Sequence, residues 1–118
     1  MKNYSELSDF EINKLIAIQL GMKPFCETTG WQGLTSEPYV DVIVRGAGRL
    51  GAFNPCNNPS DAWPIIVENN IAVVPYRHTT PQAWPTKFGA ISKFGTEDKN
   101  PLRAAMIVYL MMKDSENA

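Results

Sequence analysis

One histidine and two cysteines are all the imidazole and thiol ligands that this chain of 118 residues could offer zinc. His78 stands alone, and Cys26 and Cys56 form no C-x-x-C pair, so a zinc site is short of ligands and no metal is expected. Two cysteines make no disulfide framework. The expectation is reduced thiols in a cytosolic protein, with a single disulfide as the alternative. The chain also lacks an excess of charge. Its formal net charge is -1, the charges are scattered singly, and no basic stripe of the kind nucleic acid requires is present. Long apolar runs are missing too. The longest, Ala104 to Met112, is far too short to span a bilayer. Behind Lys2 no apolar stretch follows that would read as a signal peptide. These absences predict a cytoplasmic protein with neither nucleic acid nor membrane as its partner.

What is present suits one globular domain. The hydrophobic share is 44%, ordinary for a soluble fold, and the length allows a real core without disulfide or metal. Ser8-Asp9-Phe10-Glu11 has the S-x-x-E spacing of a capping box. Ile12, Leu15, Ile16 and Leu20 then recur at helical spacing, and Gly21 stands where a left-handed terminal residue is wanted. A first helix from about Asp9 to Leu20 follows. Tyr39 to Val44 is rich in β-branched residues and reads as a strand.

Behind that strand, Gly46-Ala47-Gly48-Arg49-Leu50-Gly51 spells G-x-G-x-x-G. A dinucleotide site needs a helix to begin there, so that its N-terminus meets the pyrophosphate. Pro55, Pro59 and the asparagines between them follow instead. The glycines therefore read as a turn, and neither NAD, FAD nor any other cofactor is expected. Arg45 to Pro59 reads as one long ordered loop, a kind of segment that is often functional.

The second helix is expected over about Ala62 to Asn69, with Asp61 as its cap and Pro64 inside its first turn. Ile71 to Tyr76 reads as a strand, and Gln82-Ala83-Trp84 as a weaker one. Thr86 to Lys99 reads as polar loop. Asn100-Pro101 opens a last helix, Leu102 to Lys113, that is apolar almost all round and so buried on most sides. The tail from Asp114 reads as frayed. Ala-Trp-Pro occurs twice, at 62–64 and 83–85, which is too little for a repeat architecture.

Each candidate constellation has a plain structural alternative. Arg45 and Arg49 could meet an anion; they could equally flank a turn. Asn54, Asn57, Asn58 and Asp61 could converge as a polar recognition surface, or hold tight turns through their own backbone. Cys56 with His78 as base would be a nucleophile pair, but a small buried thiol is the simpler reading. Trp63, beside the asparagines, is the tryptophan placed best for an interface. The methionines of the last helix read as core.

Asn54-Pro55-Cys56-Asn57-Asn58-Pro59, Asp61-Ala62-Trp63-Pro64-Ile65-Ile66 and Asn100-Pro101-Leu102-Arg103-Ala104-Ala105-Met106-Ile107-Val108-Tyr109-Leu110 resemble the NinX-like family of small phage proteins. Tyr4-Ser5-Glu6-Leu7-Ser8-Asp9-Phe10-Glu11-Ile12-Asn13 fits as well. The resemblance implies a phage or prophage product in the bacterial cytoplasm and supplies no catalytic residues.

The reading is therefore a single α+β domain with a small, mostly antiparallel sheet packed against N- and C-terminal helices. Its function is read as non-enzymatic binding of a host or phage protein, with Arg45, Arg49, Asn54, Asn57, Asn58, Asp61 and Trp63 on or near the surface. A small-molecule or nucleotide-binding protein, even an enzyme, using residues 45–61 is the alternative. A homodimer through the C-terminal helix is a further one.

Overall fold

A computed structural model describes residues 3–24, 40–43, 50–89 and 91–116. Cys26, Trp31, Arg45, Gly46, Gly48 and Arg49 lie outside the described residues. The fold is α+β, and its residues fall into two compact units, Leu7–Asn54 and Met1–Glu6 with Pro55–Ala118.

In the first unit, helix α1 spans Asp9–Gln19. The capping box forms as its spacing predicts: Ser8 Oγ accepts from the Glu11 N–H at 3.1 Å, and the Glu11 carboxylate reaches back to the Ser8 N–H. At the other end Gly21 takes φ 84, which only glycine adopts without strain. That conformation lets the Gly21 N–H reach the Ile18 carbonyl at 3.0 Å and the Met22 N–H reach that of Ala17 at 2.9 Å, a Schellman closure. Ile12, Asn13, Ile16 and Ala17 are the buried positions. The expected apolar stripe is shifted: Leu20 is 38% exposed because the helix ends one residue before it, and Asn13 takes a place inside. Its Nδ2 donates to Asn54 Oδ1 at 2.7 Å, so both amides are buried with a partner, as buried polar groups require.

Strands β1 (Lys23–Pro24), β2 (Val40–Ile43) and β3 (Leu50–Phe53) form an antiparallel sheet in that order, and α1 packs against β1 and β2. Strand β3 corrects the expectation of a continuous loop from Arg45 to Pro59. Leu50-Gly51-Ala52-Phe53 carries little β propensity of its own. It becomes a strand because Val40 pairs with Phe53 and Ile43 with Leu50, which supplies a ladder that local sequence does not announce.

The second unit opens with a short 3-10 helix, Tyr4–Glu6. Helix α2 spans Pro59–Glu68, β4 Ile71–Val74, β5 Gln82–Pro85, β6 Thr96–Glu97 and α3 Pro101–Glu116. β4, β5 and β6 make a second antiparallel sheet with β5 central. Pro85 ends β5 opposite Ile71, past the two residues that pair with β6, so its missing N–H removes no bond on the β6 side. Among the described residues the strands are thus divided between two three-stranded sheets, with one terminal helix on each, rather than gathered in one. Of the twin tripeptides, residues 62–64 are helical and 83–85 extended, so the echo has no structural counterpart.

Helix α3 packs on all three strands and on α2. Every residue from Ala104 to Leu110 is buried, which accounts for its all-round apolar sequence. This covering leaves none of those seven side chains for a second copy, so the reason for a dimer through this helix is met within the chain. The tail is also more ordered than expected. The helix continues to Glu116 because Lys113 pairs with Glu116 at 3.4 Å and the Asp114 carboxylate accepts from the Tyr4 hydroxyl.

Candidate functional site

The asparagine-proline segment enters α2 one turn earlier than its spacing suggests. Asn58, not Asp61, is the N-cap: its Oδ1 accepts from the Ser60 N–H at 3.0 Å. Pro59 then holds the first helical position, where no N–H is required. Asp61 falls in the first turn, where a carboxylate is favoured by the helix dipole. Pro64 consequently lies inside the helix, where it cannot donate to the Ser60 carbonyl. Both residues are exposed, so water can satisfy that carbonyl and the break is tolerated.

Pro55, Cys56 and Asn57 form the turn before this cap, and Asn100 ties it down. Asn100 Nδ2 donates to the Cys56 carbonyl at 2.6 Å and to Asn57 Oδ1 at 3.1 Å. Its Oδ1 meanwhile caps α3, accepting from the N–H groups of Leu102 and Arg103 at 3.0 and 3.3 Å. One side chain thereby closes the start of α3 and fixes the approach to α2. Nearby, Asp98 receives the Asn100 N–H at 2.8 Å and Arg103 Nε at 3.2 Å, and Arg103 Nη2 donates to the Ser5 carbonyl at 3.1 Å.

Helix α2 has an unusual solvent face. Ala62, Ile65 and Ile66 point inward. Outward, Trp63 is 63% and Val67 51% exposed, four residues apart and so on one side. Pro59, Ser60 and Pro64 are exposed with them. Asp61 and Glu68, seven residues apart and so on one edge of the helix, border this face; between them it carries no charge, although charged and polar side chains are what a solvated helix face normally shows.

The expected site residues therefore separate. Asn57, Asn58, Asp61 and Trp63 lie together around the start of α2, with Trp63 the most exposed. Asn54 is 2% exposed and bonded to Asn13. Arg45 and Arg49 are outside the described residues. Cys56 is fully buried, while His78 is exposed, which does not suit a nucleophile and its base. Strands β2 and β3, on either side of residues 44–49, run antiparallel. The glycine run therefore joins strand to strand, where the dinucleotide fingerprint joins strand to helix. Val67 and Asn100 were missed as parts of this region. The signal for Val67 was its i+4 spacing from Trp63, and Asn100 gave none beyond its cap.

Among the described residues no group of His, Cys, Asp and Glu could hold a metal ion, and no helix is long and apolar enough to cross a membrane. Fold and surface define a small α+β protein that turns one apolar helix face to solvent. The chain belongs to the NinX family of bacteriophage P22, whose family model matches residues 3–113. Membership marks it as a phage accessory protein. Neither a curated protein nor a solved structure matches the chain.

Proposed function

We propose that the chain is a non-enzymatic binding protein, acting in the host cytoplasm as a single domain, whose partner is a host or phage protein. The observation that carries this is the uncharged face of α2, with Trp63 and Val67 beside each other and more than half exposed. Tryptophan anchors are enriched where interfaces concentrate their energy. Pro59 pre-sets the first turn of the helix, so this face is already formed before binding. Asn57, Asn58 and Asp61 supply a polar rim.

The test is capture of a partner from host and infected-cell lysates by the wild type and by Trp63→Lys. Because Trp63 is exposed, its replacement should move stability by no more than about 0.5 kcal/mol. Loss of a specific captured protein at unchanged stability is the expected result. Equal capture by both proteins would remove α2 from the reading. Asn58→Ala is a poorer probe, since it deletes a helix cap worth about 1 kcal/mol.

A further inference from the structure

Residues 86–95 join β5 to β6 and contain Lys-Phe-Gly twice, as Lys87-Phe88-Gly89 and Lys93-Phe94-Gly95. Successive turns hold the described residues of this connection, 86–89 and 91–95, in shape. The N–H groups of Phe88 and Gly89 both donate to the Pro85 carbonyl at 3.0 Å, that of Ser92 to Gly89 at 3.3 Å, and that of Gly95 to Ser92 at 3.0 Å. Gly89 has φ +83, a conformation its missing side chain permits. At the base, Thr86 donates twice to the Asn70 carbonyl, through N–H at 3.0 Å and Oγ1 at 2.9 Å.

The two phenylalanines have different roles. Phe94 is 4% exposed and anchors the connection, while Phe88, its ring centroid 5.3 Å away, is 50% exposed. Beyond them Ile91 is 100% exposed. Lys87 Nζ lies 5.5 Å from the Phe88 centroid and Lys93 Nζ 5.3 Å from that of Phe94. Each ammonium group thus sits over a ring in a weak surface cation–π contact, and both lysine side chains are exposed. No acidic residue occurs within 86–95. The carboxylate that shares the neighbouring hollow with Lys87 and Phe88 is Glu116, which is paired with Lys113.

The expectation of no membrane partner rests on the lack of a spanning or signal segment, which leaves a peripheral contact open: we propose that this connection meets an anionic lipid bilayer surface, with Phe88 and Ile91 entering the headgroup–acyl boundary and Lys87 and Lys93 meeting lipid phosphates. Apolar side chains flanked by lysines are what an interfacial segment requires. A bilayer imposes no matching shape, so two exposed apolar side chains and two lysines can engage it without the roughly 800 Å² that each partner contributes to a stable protein interface. A single nucleic-acid strand would need open ring faces to stack on, yet Phe94 is buried and Lys87 lies over Phe88. The net charge of -1 confines the attraction to this loop, so the contact is weak, reversible and salt-sensitive. It is separate from the α2 face and stands whether or not that face binds a protein.

Sedimentation of the full chain with vesicles tests it, using phosphatidylcholine alone and phosphatidylcholine mixed with phosphatidylglycerol, at low salt. Binding should appear on the anionic vesicles only. Ile91→Glu should abolish it, and Lys87→Ala with Lys93→Ala should lower partitioning by roughly fivefold for each lysine. All three side chains are exposed, so the variants should melt like the wild type. Absence of binding, equal binding to both vesicles, or undiminished binding by Ile91→Glu would each overturn the proposal. So would a protein that ignores the vesicles and binds a labelled single-stranded oligonucleotide through the same lysines.

Discussion

Replacing Asn100 should separate a local interaction from a tertiary one within a single side chain. Its Oδ1 closes the first turn of α3, and its Nδ2 reaches the carbonyl of the fully buried Cys56 at 2.6 Å. Loss of an asparagine cap costs about 1 kcal/mol. Loss of the donor to Cys56 removes a hydrogen bond whose net worth is about 0.5–1.5 kcal/mol, with a penalty of about 1–3 kcal/mol if that carbonyl is left dry. Asn100→Ala should therefore destabilise the protein by about 2–3 kcal/mol. Asn100→Ser keeps a capping oxygen but has no amide to extend, so about 1 kcal/mol of the cost should return. The bond to exposed Asn57 adds little, and Asn57→Ala should be close to neutral. Urea denaturation reads these values from the midpoint, provided the slope is unchanged. A serine variant as unstable as the alanine variant would show that the cap contributes nothing. An alanine variant within about 0.5 kcal/mol of wild type would refute the description of both interactions.

Leu110 is 4% exposed in the helix that covers the second sheet, and Leu110→Ala should cost roughly 2–5 kcal/mol through the cavity left behind; an unchanged urea midpoint would make α3 peripheral. The Tyr4 hydroxyl is pushed well above its ordinary range by burial first, then by its bond to Asp114 and that carboxylate's charge; Tyr109 is raised by burial, then by Glu116 and Glu68. A raised tyrosine keeps its proton in the folded state after the unfolded chain has begun to lose it near pH 10.0. Stability from these groups is thus complete below that pH and falls as pH rises above it. Tyr4→Phe should flatten that alkaline decline, and an identical decline in the variant would contradict it. Thiol titration under denaturing, non-reducing conditions should count two, whereas zero, with a mass two daltons lower, would establish a disulfide.

Much of the architecture was legible wherever one element's signals are local. Ser8, Glu11 and Gly21 mark both ends of α1 because caps are made between neighbours in the chain. Asn100-Pro101 marks the start of α3 for the same reason, and the apolar run after it announced burial on every side. The start of α2 was misplaced because Asp61 and Asn58 are both good caps. Placing Pro64 in the first turn favoured the former, whereas the chain accepts an internal proline on an exposed face. The site was less legible. Asn54 and Asn57 look alike in sequence, yet one is bonded to Asn13 inside the protein and the other stands at the surface by α2.

By itself the sequence determined the α+β class, the two terminal helices, a strand within Tyr39 to Val44 and one within Ile71 to Tyr76 that ends at Val74, and the resemblance that family membership bears out. These rest on periodicity, capping and composition, all of which act over a few residues. Only the tertiary structure decided that Leu50–Phe53 is a strand, that the strands divide into two sheets, and that Asn100 reaches back to Cys56. It also decided that the same Ala-Trp-Pro is helical at 62–64 and extended at 83–85. Such outcomes depend on partners distant in sequence: a ladder opposite Val40–Ile43, a helix cap shared across the fold, a sheet waiting to pair with residues 82–85. Local propensities differ by only about 1 kcal/mol, so a few such long-range contacts are enough to override them.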